Sequence, residues 1–128
     1  MDADMNMKIL VIDDFATMRK VIKNLLKQVG YSNISEAQDG TAALQILKSR
    51  NIDFIISDWN MPNMNGLELL KAVRGNSELS GIPFLMVTAE ALRDNVILAV
   101  KEGVSNYIVK PFTAEILNEK IEGIVAKQ

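Results

Sequence analysis

The sequence contains no cysteine and no histidine among its 128 residues. Without cysteine there can be no disulfide, no thiolate zinc site and no cysteine nucleophile. Without histidine there can be no Ser-His-Asp triad, no imidazole base and no imidazole metal ligand. The chain is equally excluded from being a histidine kinase or a histidine phosphotransfer module. A bound metal would have to sit on oxygen, which favours Mg²⁺, Mn²⁺ or Ca²⁺. Any chemistry falls to Asp, Glu, Lys, Ser, Thr or Tyr. No excess of positive charge is present: 14 Lys and Arg stand against 16 Asp and Glu, a formal charge of -2. That argues against a nucleic-acid binder, whose affinity comes largely from phosphate neutralisation. No apolar run approaches the ~18 residues that read as a membrane span. The segment Met1–Met7 is acidic, the opposite of a signal peptide's leading region. A soluble, cytoplasmic protein is expected.

Short β-type runs alternate with helical patterns. The strand candidates are Lys8–Asp13, Asn33–Ala37, Asp53–Asp58, Ile82–Thr88 and Ser105–Lys110. Each interval holds one helix and two short loops, the pattern of repeated βα units on a parallel sheet. The first helix shows one apolar stripe through Phe15, Met18, Val21, Ile22, Leu25, Leu26 and Val29, and Gly30 supplies its stop. Further helices are predicted over about Gly40–Lys48, Asn65–Arg74 and Ala91–Lys101. The last starts after Thr113, a good N-cap, with Ile116, Leu117, Ile121 and Ile124 facing inward. The first, third and fourth strands are nearly continuous apolar runs, as strands covered on both faces must be. The second and fifth are more polar and read as edges. With right-handed crossovers, the order 2-1-3-4-5 follows. The predicted fold is a single-domain α/β (βα)5 doubly wound parallel sheet over residues 1–128, with residues 1–6 expected to be flexible.

In such sheets, ligands bind beyond the carboxyl ends of the strands, at the point where strand order reverses. Those ends carry Asp13, Asp14, Asp58, Thr88 and Lys110. Adjacent strands lie about 4.8 Å apart, so the three carboxylates are forced together and a cation between them relieves their repulsion. Mg²⁺ accepts one or two carboxylates and a phosphoryl oxygen. Thr88 and Lys110 would complete a site for a tetrahedral dianion. Asp58, on a central strand, is placed as a nucleophile, and aspartyl phosphates are a known covalent intermediate.

The set Asp13-Asp14, Asp58, Thr88-Ala89 and Lys110-Pro111 resembles the response-regulator receiver domains of two-component signalling, over about Met7–Lys127. Segments Asp13–Lys27, Ser57–Lys71, Val87–Ala91 and Val109–Leu117 resemble the stand-alone chemotaxis regulators of that family, with its flavodoxin-like topology. The resemblance implies that Asp58 accepts a phosphoryl group from a histidine kinase. It implies that Asp13, Asp14, Asp58 and the backbone carbonyl of Asn60 hold Mg²⁺, Asp14 more directly than Asp13. It makes Thr88 and Lys110 phosphoryl-binding residues and Thr88 and Tyr107 a switch pair. Asn60 and Glu90 then tune the lifetime of the phosphorylated state, and Lys110–Pro111 is cis. Such a protein catalyses its own phosphorylation and dephosphorylation and is otherwise a signalling protein rather than an enzyme. Two departures stand out: Asn65 where close relatives often have Asp, and Leu92-Arg93 in place of a lysine-rich pair.

A partner face is expected around Tyr107 on the fifth strand, since the fourth helix carries more apolar residues than its packing needs. It comprises Ala91, Leu92, Val96, Val100, Val104, Tyr107, Val109 and Lys120, an exposed patch of the kind that marks binding sites. The resemblance assigns this face to the flagellar motor switch and to the kinase, with a phosphatase as a further partner, and implies a monomer. Three other functions fit less well. A phosphohydrolase of the haloacid dehalogenase type needs an acid two residues after the nucleophile, where Asn60 stands. A flavodoxin-like electron carrier needs a Ser/Thr/Gly-rich loop after the first strand, where Asp13–Met18 stands. A single-domain receiver serving as a phosphorelay intermediate, or with another protein output, is the alternative.

Overall fold

A computed structural model of the chain describes residues 4–89 and 92–127. The predicted runs become β1 (Ile9–Ile12), β2 (Ile34–Ala37), β3 (Phe54–Asp58), β4 (Phe84–Thr88) and β5 (Asn106–Val109). Between and after them lie α1 (Ala16–Gln28), α2 (Gly40–Ser49), α3 (Gly66–Arg74), α4 (Arg93–Lys101) and α5 (Ala114–Val125). The sheet order is β2-β1-β3-β4-β5, with every pair parallel. All of β1 and β3 are buried, as is β4 apart from Thr88, whereas β2 and β5 are mixed. Burial therefore sorts centre from edge as the sequence predicts.

Side chains alternate across the pleat and build two cores. Ile9, Val11, Phe54, Ile56, Leu85 and Val87 pack with Ile22 and Leu26 of α1 and Leu117, Ile121 and Ile124 of α5. Leu10, Ile12, Ile55, Phe84 and Met86 face the other way, against Ala43 and Leu47 of α2 and Leu69, Leu70 and Val73 of α3. Each fully buried Leu or Ile contributes about 1.5–3 kcal/mol.

The apolar stripes are narrower than predicted. Phe15 is 67% exposed and Val21 43%, so only Ile22 and Leu26 of the α1 stripe are fully buried. Ile116, expected inside, is also exposed, while Leu117, Ile121 and Ile124 are buried. A helix against one sheet face needs a narrow contact stripe, and the flanks of these two helices stay in water.

The starts of α2, α3 and α5 are fixed by side chains. Thr113 Oγ1 accepts from the Ile116 N–H at the start of α5, as predicted. Asp39 accepts from Ala42 at α2, and Asn65 and Glu68 form a reciprocal capping box at α3. The Asn65 departure thus has a local reading, because Asn and Asp cap helices about equally well. At the opposite edge of the sheet, Arg74 donates to the carbonyls of Gly103, Ser80 and Ile82 at 2.9, 3.0 and 2.6 Å. It ties the end of α3 to the two turns flanking β4 and β5. Before β1, Met7 N–H donates to the Asp4 carbonyl and closes a turn over residues 4–7.

Candidate functional site at the carboxyl edge of the sheet

Parallel pairing brings the strand ends together. Ile12 pairs with Ser57, Asp58 with Val87 and Thr88 with Val109, so Asp13, Asp58, Thr88 and Lys110 emerge on one edge. Carboxylate oxygens of Asp13, Asp14 and Asp58 lie within 4.8 Å of one another. Lys110 Nζ reaches across β4 to within 3.1 Å of Asp58 Oδ1 and 3.8 Å of Asp13 Oδ2. Asp13 is fully buried and Asp58 nearly so, while Asp14 opens toward solvent on one side. Lys110 and Pro111 are joined by a cis peptide bond, as the resemblance implies.

Burial raises the pKa of both Asp13 and Asp58 above the ordinary 3.8. At Asp13, desolvation outweighs the Phe15 N–H and the Lys110 charge, and the neighbouring Asp14 charge adds to the rise. At Asp58, desolvation likewise outweighs the Lys110 hydrogen bond, and the Asp13 charge adds to it. One ammonium therefore does not balance three carboxylates.

Asp13 Oδ1 accepts from the Phe15 N–H at 2.9 Å. Its Oδ2, and Oδ1 of Asp14, are buried with no hydrogen-bond donor. Two donor-less carboxylate oxygens beside a third carboxylate make an all-oxygen ligand set with surplus negative charge, which fits a hard cation such as Mg²⁺. Asp14 does not cap α1, whose N-cap position is Phe15 with no side-chain cap bond. Sequence reasoning missed Arg19, which donates to the Asp13 carbonyl at 2.6 Å and to Glu36 at 3.0 Å. By its spacing alone it is a polar residue off the apolar stripe of α1.

The loop after β3 is closed by Gly66. Its N–H donates to the Trp59 carbonyl at 2.8 Å. A Cβ there would lie 2.4 Å from the Asp58 carbonyl oxygen and 2.8 Å from Met86 Sδ. Only glycine lets α3 begin so close to the acceptor strand. Asn60 lies exposed in this loop, two residues after Asp58. Glu90 and Ala91 lie outside the described residues.

Trp59, Met86, Thr88, Asn95, Val96, Ala99 and Tyr107 enclose a small apolar cavity between α4 and the sheet, with room for about 10 Å³. That is about one water molecule, so a ring can enter only if a neighbour moves. Tyr107 is half-buried, with the Lys120 ammonium 5.5 Å from its ring centroid. Of the predicted partner face, Leu92, Val100 and Val109 are exposed. Val96 and Val104 are not: Val96 lines the cavity and Val104 packs on the second core. Ile97, Leu98 and Ile116 extend the exposed apolar surface, because helical spacing alone did not tell which flank α4 or α5 turns outward. A larger cleft, about 610 Å³, lies at the other edge of the sheet among Lys8, Arg50, Asp53 and Glu78, away from this chemistry.

The sequence pattern of the response regulator receiver domain matches residues 9–122. The chain belongs to the response regulator receiver family. It is 58% identical over 118 residues to the chemotaxis protein CheY of Pseudomonas aeruginosa, covering 92% of this chain and 95% of that one. It is 54% identical over 119 residues to the chemotaxis protein CheY-3 of Vibrio cholerae, covering 93% and 92%. Among solved structures it resembles Vibrio cholerae CheY4 with a TM-score of 0.86 at 34% identity, over 93% of this chain and 98% of that one. A response regulator from Chloroflexus aurantiacus superposes with a TM-score of 0.88 at 29% identity, over 94% and 98%. These relatives make it a CheY-like chemotaxis receiver domain. Among the described residues no helix is long and apolar enough to cross a membrane.

Proposed function

We propose that this receiver is a phosphorylation-operated chemotaxis regulator. Asp58 takes a phosphoryl group from a histidine kinase, and the α4–β5–α5 face then binds a flagellar motor switch protein. The observation that carries this reading is the Lys110 ammonium, 3.1 Å from Asp58 Oδ1 within a cluster of three carboxylates. An isolated carboxylate would be a poor receptor for a dianion, and this one has its counter-charge in place.

An Asp58 carboxylate oxygen attacks the phosphorus of a phosphohistidine. The P–N bond breaks, and its electron pair leaves on the imidazole nitrogen, which takes a proton from water. Lys110 and the Thr88 hydroxyl bind the phosphoryl oxygens, Thr88 lying one strand over from Asp58. Asp13, Asp14, Asp58 and the Asn60 carbonyl would hold Mg²⁺, with the donor-less oxygens of Asp13 and Asp14 in support. When bound, the cation neutralises carboxylate and phosphoryl charge together. Asn60 and Glu90, two residues beyond Asp58 and Thr88 respectively, tune how long the phosphoryl survives. Drawing Thr88 toward the phosphoryl enlarges the cavity it shares with Tyr107, and the ring then moves inward. The surface of Leu92, Val100, Val109 and Tyr107 changes with it. A partner preferring that surface shifts the equilibrium by its differential affinity.

Intact-mass measurement after treatment with acetyl phosphate and Mg²⁺ tests the acceptor: one phosphoryl group is expected on the wild type and none on Asp58→Asn. A phosphoryl group persisting in that variant refutes the assignment. NMR shift mapping with beryllofluoride and a motor-switch peptide tests the output. Peptide affinity that ignores beryllofluoride would instead favour a phosphorelay intermediate.

A further inference from the structure

We infer that Asp39 and Asn63 form a tether that positions the β3–α3 loop for Mg²⁺ binding, an inference that rests on the metal reading above. Asp39 is 5% exposed and both of its carboxylate oxygens are engaged. Oδ1 accepts from the Ala42 N–H at 2.8 Å and caps α2. Oδ2 accepts from Asn63 Nδ2, also at 2.8 Å, across 24 residues of sequence. Asn63 has φ 65, the one positive φ outside glycine among the described residues. Asn tolerates this left-handed region better than most residues, yet it is uncommon and needs support from its surroundings.

A second contact lies alongside. Gly40 N–H donates to the Met64 carbonyl at 3.1 Å. A Cβ on Gly40 would lie 2.6 Å from Met64 Cγ and 2.8 Å from that same carbonyl oxygen. The start of α2 is thus shaped to receive the loop, at adjacent positions on both sides. With Gly66 closing the far end on Trp59, the loop is held in its middle and at its end. Asn60, whose carbonyl is the expected ligand, makes none of these bonds. Where its carbonyl points follows from how residues 63–66 are held. Asp39 and Asn63 would not touch the cation; they are positioning residues.

A purely structural role for Asp39, as the cap of α2, predicts lost stability without a change in cation affinity. Isothermal titration with MgCl₂, alongside the fluorescence of Trp59, separates the two. Asn63→Gly keeps a residue at ease with positive φ and removes only the amide. Its Mg²⁺ affinity is expected to fall about tenfold, the scale of losses when groups that orient metal ligands are removed. Asn63→Asp, which sets two carboxylates face to face, is expected to fall further. In the double variant D39N/N63D the amide and the carboxylate exchange places, the cap to Ala42 survives, and affinity is expected to return to within about twofold of wild type. Wild-type affinity in Asn63→Gly, or no recovery in the folded double variant, overturns the tether alone. No Mg²⁺ response in the wild type overturns the metal reading and the tether with it.

Discussion

Removing one carboxylate from the Asp13–Asp14–Asp58 cluster should stabilise the cation-free protein. The substitution Asp13→Asn keeps the acceptor for the Phe15 N–H and nearly the same volume, but removes a charge that is fully buried. At the 4.8 Å limit of the cluster, each carboxylate pair repels by about 3.5 kcal/mol in an effective dielectric of about 20. Asp13 has two such neighbours. Its attraction to Lys110 at 3.8 Å is about 4 kcal/mol in the same medium. Repulsion exceeds attraction, and the desolvation of Asp13 adds to the imbalance, while the solvent around Asp14 screens part of it. A net gain of about 2 kcal/mol remains, or about 8 °C in melting temperature for a domain of this size. Thermal melts followed by circular dichroism in EDTA and in MgCl₂ provide the assay. The variant is expected to melt higher than the wild type in EDTA, and Mg²⁺ is expected to raise the wild type much more than the variant. A variant equal to or less stable than the wild type in EDTA would refute the electrostatic account, because the Lys110 pairing would then outweigh the repulsion.

The same cluster sets a pH dependence. The Asp13 and Asp58 pKa values are raised in the folded state, so the native protein holds these protons more tightly than the unfolded chain. Their contribution is fully present below the ordinary 3.8 and is lost as pH rises through the raised values. Urea melts in EDTA should therefore show the advantage of Asp13→Asn growing from near zero in acid as pH rises; an advantage independent of pH would contradict this. Glu36 and Asp39 are shifted down by their hydrogen bonds, so they lose stabilisation as pH falls, and their effect cancels in the comparison of the two proteins. Gly66→Ala should cost about 2–3 kcal/mol, since the added methyl meets the Asp58 carbonyl and Met86. Chemical denaturation measures this, and a loss below about 0.5 kcal/mol, within the range of ordinary surface changes, would show that α3 can withdraw from the strand end.

The fold was legible because burial and composition agree strand by strand. The runs in β1, β3 and β4 could be fully apolar only if both faces were covered, and that fixed them as central. The acidic pocket was legible for the same reason: parallel strands deliver their carboxyl ends to one edge, whatever the helices do. Legibility fell where a residue's role depends on a partner far along the chain. Asp39 draws no reading from the sequence, since the Asn63 amide reaches it through a left-handed turn that the sequence does not announce. Arg19 reads as a surface charge, although it holds the Asp13 carbonyl. Phe15, Val21 and Ile116 were assigned inward because a stripe counted on a helical wheel is wider than the groove a sheet offers. Val96 and Val104 are half-buried rather than exposed, since periodicity reveals neither which flank of α4 meets the strands nor how the turn after it packs.

That thin contact of α4 has an energetic consequence. Of its nine residues only Ala99 is buried, and its N-cap, Leu92, supplies no side-chain hydrogen bond. Asp58 instead closes β3, a central strand buried along its whole length. In a native-state exchange experiment, α4 belongs to the low end of the opening free energies and β3 to the high end. A coupling of about 1–3 kcal/mol, the usual size for communication between two sites, would act on a helix with one buried residue rather than on a strand buried throughout. On the proposed reading, the chain joins a receiver of charge on a fully buried strand to a helix held by a single buried residue.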